Sequence, residues 1–338
     1  MRLDDIDYHL PAELIAQHPI EPRDSARLLV DLGGRGIAHE HVTDIVNHVN
    51  EGDVLVVNHT RVMHARLQLQ RESGGRVEVL MLREQSGSSD WEALVRPGGK
   101  IRAGEVLSHQ SGVGVVRMVG RSSDGDTFIV RPLVPDVYAT MREIGEAPLP
   151  PYITERLSDA SRYQTVYAHD ERSAAAPTAG LHFTPNLLDS VRARGVSIRE
   201  VELVVGLDTF KPVTVENPLD HVIHTERYCV SGAVLEECRD AQRKGNRVIA
   251  VGTTAARALE SAATTGQLEG DTNLFIYPGY EWKVVDRLMT NFHMPRTTLL
   301  LMISSFVGSR WREIYSEAIE RKYRFLSFGD AMLLDRHA

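Results

Sequence analysis

Apolar positions along this chain follow two different rhythms, and the change from one to the other marks boundaries. Asp53 to Val57 holds the unbroken run Val-Leu-Val-Val, which predicts a strand buried on both faces in an α/β sheet. Ahead of it, Arg27 to Asp31 predicts a strand, Pro11 the first turn of a short helix, and Thr43 the cap of another. Between about 62 and 150 the runs shorten to ARLQLQ, RVEVLML, DWEALV, VGVVRMV and DTFIVRP, separated by turn clusters such as SGG, SGSSD, RPGGK and SSDGD. Helical periodicity is almost absent there until Asp136. Short strands at regular spacing predict a small all-β sandwich or barrel. Pro148, Pro150 and Pro151 then resist both helix and central strand, as a return linker does.

After the prolines the first rhythm resumes. Thr184 and Pro185 open a helix with Leu187, Leu188 and Val191 on one face and Gly195 at its stop. A strand follows through Val201 to Val205. Ser231 opens a helix that Gly245 closes, Arg247 to Val251 is a second buried strand, and a helix begins near Ala255. An apolar helix starts at Thr297. The expected fold is α/β: a discontinuous main domain, residues 1–61 plus 151–338, with an inserted β domain at 62–150.

Composition changes this picture little. The 338 residues are 42% hydrophobic and 25% charged, which is ordinary for a soluble globular protein of two domains. The longest apolar run, Thr297 to Val307, falls short of the roughly 20 residues a membrane span needs. The acidic start MRLDDIDYHL lacks the sections of a signal peptide, so the expected location is cytoplasmic. Cys229 and Cys238 are too few for a disulfide framework. A formal net charge of −8 argues against non-specific coating of nucleic acid. Residues 61 to 102 run the other way, with eight basic groups against five acidic ones, a weak pointer to a phosphate-bearing partner. The GGRG turn at 33 to 36 is not followed by a long helix, which excludes a dinucleotide fingerprint.

Candidate chemistry gathers in a few places. Arg162 to Thr184 carries Tyr163 and Tyr167, the small-residue run Ser173 to Ala176, and then Thr178, Gly180 and His182. Small residues let a backbone approach a ligand and place a hydroxyl and an imidazole beside it; the same residues also suit a buried turn around a satisfied histidine. Thr60 and Arg61 follow a buried strand at the end where ligands gather in α/β sheets. Gly252, Thr253 and Thr254 lead from a strand onto a helix N-terminus, which serves an anion or merely caps the helix. In a strand from Val222 to Val230, His224, Glu226 and Tyr228 share a side, and an imidazole beside a carboxylate suits proton transfer or an ordinary hydrogen bond. His221 and His224 lack a third ligand at recognisable spacing, so no metal site is expected. Asn291 and His293 sit in the loop TNFHMPR, placed for function or for capping the next helix.

The chain resembles the S-adenosylmethionine:tRNA ribosyltransferase-isomerase family of queuosine biosynthesis along essentially its whole length. The resemblance rests on QHPIEPRDSARLLV at 17 to 30, Asn-x-Thr-Arg at 58 to 61, RYQTVYA, APTAGLHFT, IHTERY at 223 to 228, AVGTTAARALES at 250 to 261, LFIYPGY at 274 to 280, TNFHMPRTTLLLMISSF at 290 to 306 and YRFLSFGDAML at 323 to 333. It implies a discontinuous α/β domain carrying a β-barrel. It also implies an enzyme that consumes S-adenosylmethionine, with no prosthetic group, and passes its ribosyl part to 7-aminomethyl-7-deazaguanine at the wobble position of tRNA. Adenine and methionine leave. The partner is then the anticodon stem-loop, and the chain is taken as a monomer. On this resemblance His182, or His224 with Glu226, supplies a base; Thr178, Gly180, Gly252 and Thr253 line the substrate pocket; Arg61, Tyr163, Asn291 and His293 bind ribose, methionine carboxylate or the modified base. The chain departs from the family pattern at His59, Arg172, Val204 and Asp208, where Asp, Gly, His and Gly are usual.

Overall fold

The buried run at 54 to 58 is a middle strand of a nine-stranded mixed sheet. Its order is Glu269–Thr272, Glu226–Cys229, Ser197–Leu203, Val54–Asn58, Val248–Val251, Arg287–Asn291, Ala331–Asp335, Arg27–Asp31 and Ala38–His41. The four strands from Ser197–Leu203 to Arg287–Asn291 are parallel, with Val56 paired to Arg199 on one side and Ala250 on the other. Every residue of the three strands at 54–58, 248–251 and 287–291 is buried, which is why Val54–Val57 and Val248–Val251 read as continuous apolar runs with no alternation. Leu55, Val57, Ile249, Val251, Met289 and Leu333 join a core with Leu187, Leu188 and Val191 of the helix Pro185–Ala193.

These coordinates are a computed structural model that describes residues 1–33, 36–85, 87–99, 101–122, 127–155, 157, 159–206, 213–223 and 225–337. The chain divides into two compact units. One comprises Met1–Thr60, Pro150–Asp170 and Ala176–Ala338 and holds the sheet; the other comprises Arg61–Leu149 and Glu171–Ala175.

The second unit is a closed barrel. Arg66–Gln70, Arg76–Glu84, Trp91–Arg96, Phe128–Pro132, Gly114–Arg121 and Val106–Ser108 follow one another round the sheet, and Ser108 closes it by pairing with Gln70. Alternation does the work here: in Arg66–Gln70 only Leu67 and Leu69 are buried, and in Trp91–Arg96 only Trp91, Ala93 and Val95. The sequence pattern leaves a sandwich and a barrel equally open because Val106–Ser108, the short strand that closes the ring, carries no run long enough to see. Closure removes the sheet edges.

Local expectations differ from the structure in five places, the first being the strand expected through Val201 to Val205, which is Ser197–Leu203. Pro11 starts only one turn of 3-10 helix, Ala12–Leu14. Thr43 lies inside the 3-10 turn Val42–Asn47, whose start is fixed by the Asp44 carboxylate accepting from the His41 N–H at 2.9 Å, a stronger acceptor than a hydroxyl. The strand expected from Val222 is Glu226–Cys229; Val222 is 83% exposed and so has no buried face to pay for pairing. The helix expected near Ala255 begins at Gly252. Among the described residues no helix is long and apolar enough to cross a membrane.

Candidate active site

The strand Val248–Val251 delivers its last residue onto Gly252, whose φ of +89° only glycine adopts readily. That turn starts the helix Gly252–Thr265 with no capping side chain, so the N–H groups of the first turn are left for another acceptor. Thr253 and Thr254 stand at this helix start and line two adjoining clefts. The Thr254 hydroxyl is buried and has no hydrogen-bond partner among the described residues. An orphaned hydroxyl between two clefts is the kind of group a ligand satisfies.

The first cleft encloses about 620 Å³, counting its open mouth. Thr178, Gly252, Thr253, Asn291 and His293, distant in sequence, meet on its wall beside Tyr152, Thr290 and Ser327, with Pro177, Phe292, Met294 and Leu299 as apolar surfaces. None of its described lining residues is charged. His182 lies behind this wall. Asn291 donates its amide to His182 Nε2 at 3.2 Å and to the Asp330 carbonyl at 3.4 Å, and its Oδ1 accepts from Thr178 Oγ1 at 3.0 Å. An accepting Nε2 puts the imidazole proton on Nδ1, where a hydrogen bond to the Arg23 main chain receives it. Arg23, His182, Asn291 and Thr178 therefore form one chain of neutral donors and acceptors that fixes the Thr178 hydroxyl on the cleft wall. Burial holds His182 down to about 4, with Asp330 acting in the opposite direction.

His293 is buried as well, and burial lowers it to about 3. Its Nε2 lies 3.1 Å from Thr290 Oγ1. Its main chain is clamped on both sides, the N–H donating to Tyr315 Oη at 3.1 Å and the carbonyl accepting from Tyr8 Oη. An imidazole so far below neutrality is uncharged throughout the physiological range and offers hydrogen bonds, not charge.

The second cleft, about 560 Å³ counting its mouth, is different in kind. Glu226 and Arg257 form a buried ion pair in it through Glu226 Oε2 and Arg257 Nη1 at 2.5 Å, with His221, Phe275 and Met302 nearby on the lining. The Gly206 N–H donates to Glu226 Oε1 at 3.2 Å, and Arg257 Nη2 donates to the Thr272 carbonyl at 3.2 Å. The strand places Glu226 and Tyr228 on its buried side, as period two requires. His224 lies outside the described residues, and so does Asp208.

Other sequence candidates stand elsewhere. Gly180 is a packing residue: a Cβ there would lie 1.9 Å from the Tyr167 hydroxyl. Tyr163 is wholly buried, edge-on to Phe328, and its hydroxyl accepts from the Ala176 N–H at 3.4 Å. Arg61 belongs to the barrel unit, 3.5 Å from Glu171. Asn58 and Thr60 bind the Leu203 main chain and so fix the end of the neighbouring strand. The basic stretch of the barrel is largely internally matched: Arg71 grips Glu105 with two bonds at 2.7 and 2.9 Å, Arg83 meets Glu92 and Arg66 meets Glu78. Arg76, Arg96 and Arg102 are exposed. Sequence reasoning missed Arg257, although a guanidinium within the alanine-rich Ala255–Ser261 is a usable signal. Glu260 in the same run is structural, its carboxylate accepting from the Lys283, Val284 and Val285 N–H groups at 2.9 Å each.

Comparisons with known proteins agree on one family. A family model described as queuosine biosynthesis protein matches residues 3–334. The S-adenosylmethionine:tRNA ribosyltransferase-isomerase of Moorella thermoacetica is 46% identical, covering 99% of this chain and 100% of that one. The protein of the same name from Rubrobacter xylanophilus is 49% identical, covering 99% and 98%. A crystal structure of S-adenosylmethionine tRNA ribosyltransferase from Thermotoga maritima covers 98% of this chain and 99% of its own at 36% identity, with a TM-score of 0.56. A sheet-bearing α/β unit, a closed barrel and a full-length match to these enzymes lead to one conclusion: the chain is an enzyme of the queuosine biosynthesis protein family.

Proposed function

We propose that this enzyme transfers the ribosyl part of S-adenosylmethionine to the exocyclic amine of 7-aminomethyl-7-deazaguanine at the wobble position of tRNA, isomerises it to an epoxycyclopentanediol, and releases adenine and methionine. The observation that carries the reading is that Thr253 and Thr254 line both clefts, so a single elongated ligand spans them. The uncharged, hydroxyl-rich first cleft suits a nucleoside. The second, with a carboxylate and a guanidinium side by side, suits the ammonium and carboxylate of an amino-acid tail. S-adenosylmethionine has those two ends.

The chemistry asks for a base to take the acidic proton at the 5′ carbon beside the sulfonium, an aid to adenine departure, and a neutral amine as nucleophile. His293 at about 3 is too weak a base for the first task and is assigned a hydrogen bond to the nucleoside. His182 positions Asn291 and Thr178. Proton removal falls to His224, which lies two positions from Glu226 in sequence. Gly252, Thr253 and Thr254 serve the substrate through the helix start. The anticodon stem-loop is the proposed acceptor region.

Incubating the protein with S-adenosylmethionine, with and without tRNA bearing the aminomethyl base, tests the reading. Adenine and methionine released only with that tRNA is the expected result. Release with a different acceptor instead would leave the donor but overturn the acceptor, and no release under any condition would overturn the reaction.

A further inference from the structure

Outside the linings of both clefts, two histidines that are far apart in sequence lie face to face. The His59 and His169 rings are stacked with centroids 4.2 Å apart and planes within 5°. The backbone holds them there: the His59 N–H donates to the Val201 carbonyl, and the His169 N–H donates to the His59 carbonyl, both at 3.1 Å. Both rings turn Nδ1 toward Asp170, His59 at 3.8 Å and His169 at 3.6 Å. His59 Nδ1 is buried and has no hydrogen-bond partner among the described residues. On its far edge, His169 Nε2 meets Glu200 Oε2 at 3.0 Å.

We propose that His59, His169 and Asp170 form a binding site for a divalent transition cation of the zinc class. One donor atom from each residue lies within 4.8 Å of the other two. Bonds of about 2.0–2.1 Å in a tetrahedron place donors roughly 3.3 Å apart, so binding turns the two parallel rings out of their stack until both in-plane lone pairs meet at one point. Two imidazole nitrogens with one carboxylate, leaving a fourth position open, match the preference of zinc for mixed nitrogen and oxygen ligands. The Glu200 contact is the outer-shell arrangement that such sites use: a carboxylate takes the proton of the ring nitrogen not bound to metal, which fixes the tautomer and leaves the other lone pair for the cation. The orphaned His59 Nδ1 gains a partner.

The test is titration of the full chain, first stripped with chelator, with zinc chloride followed by calorimetry, and with cobalt(II) followed by visible absorption. One equivalent of zinc should bind, and cobalt should give the intense bands of a four-coordinate site. His59→Asn and Asp170→Asn should each weaken zinc binding at least tenfold, and Glu200→Gln should weaken it by roughly ten- to a hundredfold. Asp170 has a half-exposed side chain, so its variant carries the test if His59→Asn fails to fold. Absence of stoichiometric zinc binding, or equal binding by Asp170→Asn and the parent, would overturn the proposal.

Discussion

The two clefts meet at Thr253 and Thr254 yet are built on opposite principles. On one side, Thr178, Asn291, His182 and His293 hold their places through neutral hydrogen bonds, with both imidazoles uncharged at physiological pH. On the other, Glu226 and Arg257 keep full charges in a buried pair. A neutral network costs little to bury once every group is satisfied and discriminates by shape. A buried ion pair is costly to desolvate and is tolerated where charge recognition needs it. On the proposed function, the uncharged end of the substrate takes the first cleft and the charged end the second.

The sharpest way to break that comparison is at the ion pair. Arg257→Met leaves the buried Glu226 carboxylate without its guanidinium and should cost about 3–5 kcal/mol of stability, read from urea unfolding. In the double variant Glu226→Leu/Arg257→Met stability should largely return while turnover does not. If turnover returns with stability, the pair is scaffolding and the second cleft has no role in recognising charge. Next in size, His224→Ala should slow adenine release by roughly 100-fold or more, whereas His293→Ala should act mainly on KM for S-adenosylmethionine. The reverse pattern would exchange their roles. Gly180→Ala should cost about 1–3 kcal/mol through its clash with the Tyr167 hydroxyl, and Tyr167→Phe in the same chain should recover part of it. A Gly180→Ala variant as stable as the parent would show that Tyr167 moves freely, against a rigid first cleft.

The smallest effect follows from pH. His182 and His293 have folded-state values of about 4 and about 3, below the ordinary value near 6.5. The unfolded chain therefore binds more protons as pH falls through 6.5, and stability drops in the window from about 6.5 toward 4. Each imidazole should contribute roughly 1 kcal/mol of loss between pH 7 and 5.5. His293→Asn should flatten the slope of the unfolding midpoint against pH; an unchanged slope would mean that His293 is not held neutral.

Much of this arrangement is legible in the sequence, for physical reasons. The runs at 54 to 58 and 248 to 251 announce a sheet covered on both faces, and Thr184, Ser231 and Thr297 announce helix starts that the structure confirms by side-chain bonds to Leu187, Val234 and Leu300. Five of the candidate binding residues do meet on one cleft. What the sequence hides is direction and depth. Nothing in APTAGLHFT shows that Thr178 faces the cleft while His182, four positions on, faces away to support Asn291, because a 3-10 turn over Thr178–His182 sends them to different sides. Nor does spacing reveal the His59 and His169 pair, since the backbone bonds that join them span separate segments of the unit.

The strand Ala331–Asp335 has a consequence for how the molecule is made. It lies between Arg27–Asp31 and Arg287–Asn291, and Asp330 at its start binds Arg27 across 303 positions of chain. A ribosome releases the first of these strands long before the one that must sit beside it. Until then Arg27–Asp31 has an open edge on that side, and Asn291 lacks the Asp330 carbonyl that helps hold its amide. Vectorial synthesis thus leaves both the sheet and the wall of the first cleft unfinished until Ala331–Asp335 has emerged.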